Sequence, residues 1–233
     1  MDGYTRFALY YAPPPGALAT LGAQWLGWDA EAGRGASLPP GQDWPTLPRP
    51  QKALTRQPRA YGFHGTLKPP FALAEDRTVT GLHAAVSALA PRLHRLRLDG
   101  LRVAEMGDFL ALVPEGDTTA LDALAATLVE ALDGFRAAPT DAEVARRRAA
   151  GLTERQETML ARWGYPFVMD EFRFHITLTG PIPDAAERAA VADALRPLFE
   201  PLIERPFRID EICLFGEGQD GRFRNLHRYP LSG

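Results

Sequence analysis

The chain has 233 residues, enough for one large domain or for two small lobes that share a core. With 26 Lys and Arg against 29 Asp and Glu, its formal charge of −3 excludes the basic footprint of a general nucleic-acid binder. Its longest apolar runs, such as Phe109 to Val113, fall far short of the roughly 20 residues a membrane helix needs, so no membrane partner is expected.

The start, Met1-Asp2-Gly3-Tyr4-Thr5-Arg6, lacks a basic cap followed by an apolar stretch and a cleavage site, so no secretory signal is expected and the cytoplasm is the default compartment. Tyr4 to Tyr11 reads as a strand of aromatic and aliphatic residues. Fifteen of the chain's Gly and Pro residues fall between Pro13 and Pro58, which predicts a long structured loop interrupted by a short helix around Ala17 to Leu26. A lid is one role open to this segment. A strand from Tyr61 to Leu67 is expected to stop at Lys68-Pro69-Pro70, followed by a helix from about Glu75 to Ala90 and by strands at Leu96 to Val103 and Phe109 to Val113. Helical spacing predicts a helix over Thr118 to Leu132. The capping boxes Thr140-Asp141-Ala142-Glu143 and Thr153-Glu154-Arg155-Gln156 announce two more. A strand at Phe172 to Leu178, a helix opening near Asp184 and a strand at Phe207 to Leu214 complete the chain. Cys213, the single cysteine, excludes an internal disulfide and a Cys-cluster metal site, and its alternating setting marks it as a buried strand thiol.

The order of elements recurs, and so does a motif. His64-Gly65-Thr66-Leu67-Lys68-Pro69-Pro70-Phe71 matches His175-Ile176-Thr177-Leu178-Thr179-Gly180-Pro181-Ile182 at an offset of 111 residues. Leu96-Arg97-Leu98-Asp99 matches Phe207-Arg208-Ile209-Asp210 at the same offset, so the two halves keep one register. Side chains alternate across a strand, which puts His64 with Thr66, and His175 with Thr177, on polar faces opposite the apolar ones. Duplicated units related by a pseudo-twofold axis can bring both polar faces to one cleft, where two imidazoles flank a single ligand. Such a pair suits phosphodiester hydrolysis: a neutral His takes a proton from water while a protonated one donates to the departing alkoxide. The threonine hydroxyls can donate to the phosphoryl oxygens. The arrangement calls for no metal and no cofactor.

Paired His-x-Thr motifs on strands of two related units resemble the 2H phosphoesterase superfamily, and the likeness covers most of the chain. More narrowly, Tyr61 to Phe71, Trp25-Leu26-Gly27, the Arg146 to Thr153 stretch and Asp170-Glu171-Phe172-Arg173-Phe174-His175 resemble the branch associated with bacterial phosphonate-utilisation genes. The resemblance implies one bilobal α+β domain of pseudo-twofold-related lobes, with antiparallel sheets lining a central cleft and helices outside. The lobes are expected at about residues 40–115 and 165–233. It also implies metal-independent hydrolysis with catalytic roles for His64, Thr66, His175 and Thr177. The branch's genetic setting points to a small ribosyl cyclic phosphate as substrate. Processing of RNA 2',3'-cyclic ends or tRNA halves is the alternative within catalysis, and a non-catalytic nucleotide- or phosphate-binding module the alternative outside it. A monomer is expected, and long nucleic acids are not expected partners.

Other residues divide by parity and setting. Arg173 shares the face of His175 and can fork to phosphate oxygens, so it is expected to bind substrate. Lys68, one strand step beyond Thr66, can place positive charge beside a phosphate, with a solvated turn lysine as the competing reading. Tyr61 has core parity, whereas Tyr4, Tyr10 and Tyr11 include some that face the cleft. Arg146, Arg147 and Arg148 spread over about 200° of a helix and are expected to meet mostly solvent. His83, His94 and His227 are expected at the surface, and Asp99 and Asp210 in turns.

Overall fold

A computed structural model describes residues 3–149 and 151–233. Met1 and Asp2, read above for a secretory signal, and Ala150, inside the Arg146 to Thr153 stretch, lie outside the described residues. The strands in chain order are β1 (Arg6–Tyr11), β2 (Gly65–Phe71), β3 (Leu96–Leu98), β4 (Gly100–Met106), β5 (Phe109–Glu115), β6 (Ile176–Thr177), β7 (Phe207–Ile209), β8 (Glu211–Glu217) and β9 (Phe223–Pro230). The helices are α1 (Ala17–Leu26), α2 (Gln51–Leu54), α3 (Val79–Leu89), α4 (Thr119–Ala131), α5 (Asp141–Arg148), α6 (Glu154–Trp163) and α7 (Ala185–Phe199). None is long and apolar enough to cross a membrane, among the described residues.

The chain is a mixed α+β structure built on antiparallel sheets. Seven strands form one sheet in the order β4-β5-β6-β2-β1-β8-β9, and β3 pairs with β7 in a separate ribbon. The 111-residue offset holds in three dimensions: β3 and β7 are equivalent segments that pair with each other, Leu96 opposite Ile209, and β4 and β8 match at both ends. The halves nevertheless exchange strands. The β4–β5 hairpin adds to β6 of the second motif, and the β8–β9 hairpin adds to β1, which lies beside β2 of the first motif. A division at residues 40–115 and 165–233 therefore cuts across the sheet, because each motif strand completes its pairing with chain from the other half.

One sheet face carries Phe7, Leu9, Tyr11, Leu67, Leu112, Ile176 and Leu178 into a core shared with α1, α3, α4 and α7. The opposite face holds a smaller cluster of Ala8, Tyr10, Cys213, Phe215 and Phe223, covered in part by Trp28 and Ala30. Cys213 is buried, and burial pushes its thiol up to about 12, as expected of an inert strand cysteine. Both predicted capping boxes form, with Thr140 and Thr153 each accepting from the third helical amide while Glu143 and Gln156 return the bond. The Pro-rich segment is anchored by its tryptophans: Trp25 Nε1 donates to the Leu178 carbonyl at 2.7 Å and Trp28 Nε1 to that of Phe223 at 2.8 Å.

Four sequence expectations need correction. The strand carrying His64 begins at Gly65 rather than Tyr61, because Pro58–Tyr61 closes a tight helical turn that ends at Gly62 with a φ of 76°. It also runs through Lys68-Pro69-Pro70 instead of stopping there. The neighbouring β6 pairs with it at Gly65 only, so beyond that point the outer edge is free of ladder bonds and prolines are tolerated. The second motif strand shortens from Phe172–Leu178 to Ile176–Thr177, since Met169–Glu171 forms a turn. Finally, the strands expected at Leu96 to Val103 and Phe207 to Leu214 each break into two, at Asp99 and Asp210, where the chain passes from the ribbon to the main sheet.

Gly65 is buried, and a Cβ there would come closer to the Phe174 ring than real Cβ contacts allow. Gly65→Val is expected to destabilise the protein by about 2 kcal/mol or more, measured as a lower urea midpoint at unchanged slope.

Candidate active site

The two motif strands lie side by side. Gly65 pairs with Ile176 in antiparallel register, so by continuation His64 stands opposite Thr177 and Thr66 opposite His175. Directly opposed residues share a face, with Cβ atoms about 4.5–5.5 Å apart, and the four side chains therefore form a square on one side of the sheet. All four are half-buried and line one cleft of roughly 800 Å³, while Phe63, Gly65, Leu67, Phe174, Ile176 and Leu178 are buried. The alternation read from the sequence is thus realised in both motifs.

The histidines are oriented alike. His64 Nδ1 lies 3.0 Å from the Gly62 carbonyl, and His175 Nδ1 lies 2.8 Å from that of Arg173, in each case two residues back. A carbonyl can only accept, so each Nδ1 carries a proton and each Nε2 is the atom presented to the cleft. His64 Nε2 is 3.2 Å from Thr66 Oγ1. Burial lowers the His64 pKa to about 4, partly offset by the Gly62 bond and reinforced by the charge of His175. Burial likewise lowers that of His175, against the bond to the Arg173 carbonyl. Two imidazoles close enough for their charges to oppose each other hold one proton more readily than two.

Their flanks differ. Tyr10, opposite Thr66 on the adjacent strand, stacks on the His64 ring at 3.8 Å between centroids. Phe109 meets His175 at 5.6 Å. Of the three candidate tyrosines, Tyr10 faces the cleft, whereas Tyr4 and Tyr11 belong to the helix-packed core. Tyr61 also lines the cleft, stacked on Phe223 at 5.1 Å. Strand parity assigned it to the core, but parity does not apply in the turn it occupies.

Arg173 lines the cleft as expected and is exposed at the rim, with Nη1 donating to the carbonyls of Asp170 and Phe172. Lys68 does not. It is 1% exposed, its Nζ donates to the Val129 carbonyl in the last turn of α4 at 3.1 Å, and burial lowers its pKa to about 8. The reason is a break in register: Tyr10 opposes Thr66 but Leu9 opposes Lys68, so β2 carries an extra residue at Leu67 and Lys68 turns to the core face. Two residues assigned to solvent line the cleft instead. Arg146 and Arg147 sit about 100° apart on α5 and both face it, whereas Arg148 points away to Glu157 at 2.9 Å. The helical spread of the triplet was read correctly, but only the tertiary placement of α5 reveals which arc is covered. His94 and His227 are exposed, and half-buried His83 bonds the Tyr229 hydroxyl at 2.7 Å, all outside the cleft. Among the described residues no group of three or more His, Cys, Asp or Glu is placed to hold a metal ion.

A family model described as "Protein of unknown function (DUF1045)" matches residues 66–224. The chain belongs to this family. Two curated relatives carry the name "Ribose 1,5-bisphosphate phosphokinase PhnN": one from Janthinobacterium sp. (strain Marseille), 36% identical over 240 residues, and one from Laribacter hongkongensis (strain HLHK9), 34% identical over 224. These alignments take in 100% and 96% of the chain but 52% and 51% of the relatives, so the chain spans about half their length. Among solved structures, E.coli LigT complexed with 3'-AMP aligns over 100% of both chains at 16% identity and a TM-score of 0.43. The protein TT0787 of Thermus thermophilus aligns over 98% of both at 17% and 0.43. The functional reading of this DUF1045 protein rests on its own site.

Two outcomes check this geometry. Because the folded-state pKa of His64 is lowered, the unfolded chain takes up its proton first, so stability falls as pH drops from about 6.5 toward 4. His64→Asn is expected to remove up to about 3 kcal/mol of that pH dependence in urea melts at pH 4 and 7. Lys68→Met is expected to change stability by no more than about 1 kcal/mol, since it removes a buried charge together with one hydrogen bond.

Proposed function

We propose that this protein is a 2H-type cyclic phosphodiesterase that hydrolyses a small cyclic phosphate without a metal ion. The observation that carries the reading is the convergence of His64, Thr66, His175 and Thr177 on one cleft, on either side of the Gly65–Ile176 pair. A phosphate seated over the square meets an Nε2 from either side. One neutral imidazole takes a proton from water as the water oxygen bonds to phosphorus. The other, protonated, gives its Nε2 proton to the ester oxygen as the P–O bond breaks, leaving a phosphomonoester and a hydroxyl on the same molecule. The Thr66 and Thr177 hydroxyls donate to the phosphoryl oxygens as charge builds there. The carbonyls behind each Nδ1 hold the rings in the tautomer this requires. Local symmetry leaves the direction of proton flow to the asymmetry of the substrate.

Two considerations favour a sugar phosphate over an RNA end. The chain's net charge is −3, and single strands are held largely through many Lys and Arg contacts. The relatives are named for a kinase acting on ribose 1,5-bisphosphate, which supports phosphorylated ribose chemistry nearby. The chain's two lysines, Lys52 and Lys68, stand in no Gly-x-x-x-x-Gly-Lys-Ser/Thr loop of the kind that cradles nucleotide phosphates.

Hydrolysis is to be assayed on ribose 1,2-cyclic phosphate, nucleoside 2',3'-cyclic phosphates and RNA-terminal 2',3'-cyclic phosphates, with exhaustive chelation as a control. Turnover of a small cyclic phosphate that survives chelation is expected, and no turnover of any of them would sink the reading. His64→Ala and His175→Ala should each cost at least about 10²-fold in kcat. An unaltered rate would leave only a binding module. Since both imidazoles titrate below 6.5 in the free enzyme, kcat/KM should peak between about pH 4 and 6.5 and fall as pH rises further and the acid loses its proton. A profile that climbs to a plateau above pH 7 would exclude imidazolium as the acid.

A further inference from the structure

We propose that the cleft contains a second anion subsite, built from Arg146 and Arg147 of α5, and that the substrate is a cyclic phosphodiester that also carries a separate phosphomonoester. This inference rests on the reading of the histidine–threonine square as a phosphodiester-hydrolysing site.

The charge inventory of the cleft is the first observation. In a chain of net charge −3, the cleft wall holds four arginines, Arg6, Arg146, Arg147 and Arg173, against two glutamates, Glu143 and Glu171. The carboxylates are engaged. Glu143 accepts from the Thr140 amide and hydroxyl that it caps, and Glu171 accepts from Gln156 at 2.9 Å. Arg6 is held in a two-point pair with Glu217, at 2.5 and 2.7 Å. Arg146 and Arg147, by contrast, form no ion pair among the described residues, although their charges lower the Glu143 pKa behind the cap's own bonds.

The second observation is the state of Arg147. Its guanidinium lies over the Tyr165 ring at 4.3 Å, and its Nε is shielded from solvent with no hydrogen-bond partner among the described residues. Leaving such a donor unpaired costs about 1–3 kcal/mol. Stacking fixes the plane of the guanidinium, the planar group that grips a phosphate or carboxylate as a fork. Helix-dipole complementation does not account for the pair, because Arg148 already places a cation in the same last turn and is matched by Glu157.

Stoichiometry is the third. A cyclic phosphodiester carries one negative charge, and two histidines and two threonines already converge on it. Arg173, two residues from His175 and also without an ion pair among the described residues, adds one cation to that set. Arg146 and Arg147 are two more beyond it, and their charge calls for a second anionic group on the same molecule, which a phosphomonoester dianion matches. A cleft of roughly 800 Å³ has room for a pentose with both groups.

The test uses two pairs of probes differing only in a phosphomonoester: ribofuranose 1,2-cyclic phosphate and adenosine 2',3'-cyclic phosphate, each with and without a 5-phosphate. For whichever pair is turned over, the phosphorylated member should have a kcat/KM at least about 10-fold higher. That ratio should fall to within about threefold of unity in Arg146→Ala/Arg147→Ala and persist in Arg148→Ala, the same-helix control. A ratio near one in the wild type, or one that survives the double substitution, overturns the subsite. Calorimetric titration with ribose 5-phosphate provides a readout independent of turnover, and the double variant should bind it at least about 10-fold more weakly. Equal affinity overturns the subsite. The expected loss of affinity with no hydrolysis of any probe would keep the subsite and remove the hydrolase reading.

Discussion

The antiparallel pairing of Gly65 with Ile176 is the contact on which the site depends. Because the paired strands are equivalent parts of a repeat, the local twofold axis runs between them, and each histidine is set opposite the threonine of the other copy. A one-residue slip would turn one motif into the core, where Phe174 and Ile176 now lie. Glycine at the middle of the first motif is part of the same constraint: it leaves the room beneath β2 that the Phe174 ring fills. Isoleucine at the matching place of the second motif is buried in the core. The repeat is thus symmetric where it faces the cleft and asymmetric where it packs.

The chemistry of the four side chains follows from where that pairing puts them. They stand on a sheet whose other face is sealed by α1, α3, α4 and α7, so their backbone is rigid while their tips remain open. The same burial that fixes them makes a charge on either imidazole expensive. Carbonyl groups two residues back settle which nitrogen carries the proton. Tyr10 completes the setting of His64 from β1, a strand that belongs to neither motif.

Strand exchange explains why the site does not separate into two independent halves. The β4–β5 hairpin of the first half extends the second motif strand, and β8 of the second half reaches the first motif through β1. The cleft is then walled by α5 and by the chain around Tyr165, Phe167 and Arg173, rather than by the Pro-rich segment, which is pinned by Trp25 and Trp28 to other parts of the sheet. Phe167, at 46% the most exposed large apolar side chain described, lies on that wall.

The sequence by itself determined the repeat, the four motif residues and their shared face, the two capping boxes and the burial of Cys213, because each rests on periodicity or on contacts within a few residues. Only the tertiary structure decided the rest. Lys68 left the cleft because a bulge, invisible in composition, changed its parity. Tyr61 entered it because a tight turn replaced the expected strand. Arg146 and Arg147 joined it because helix orientation, unlike helix formation, is set by what the helix packs against. The exchange of hairpins between halves is likewise a matter of long-range pairing, to which local spacing carries no reference.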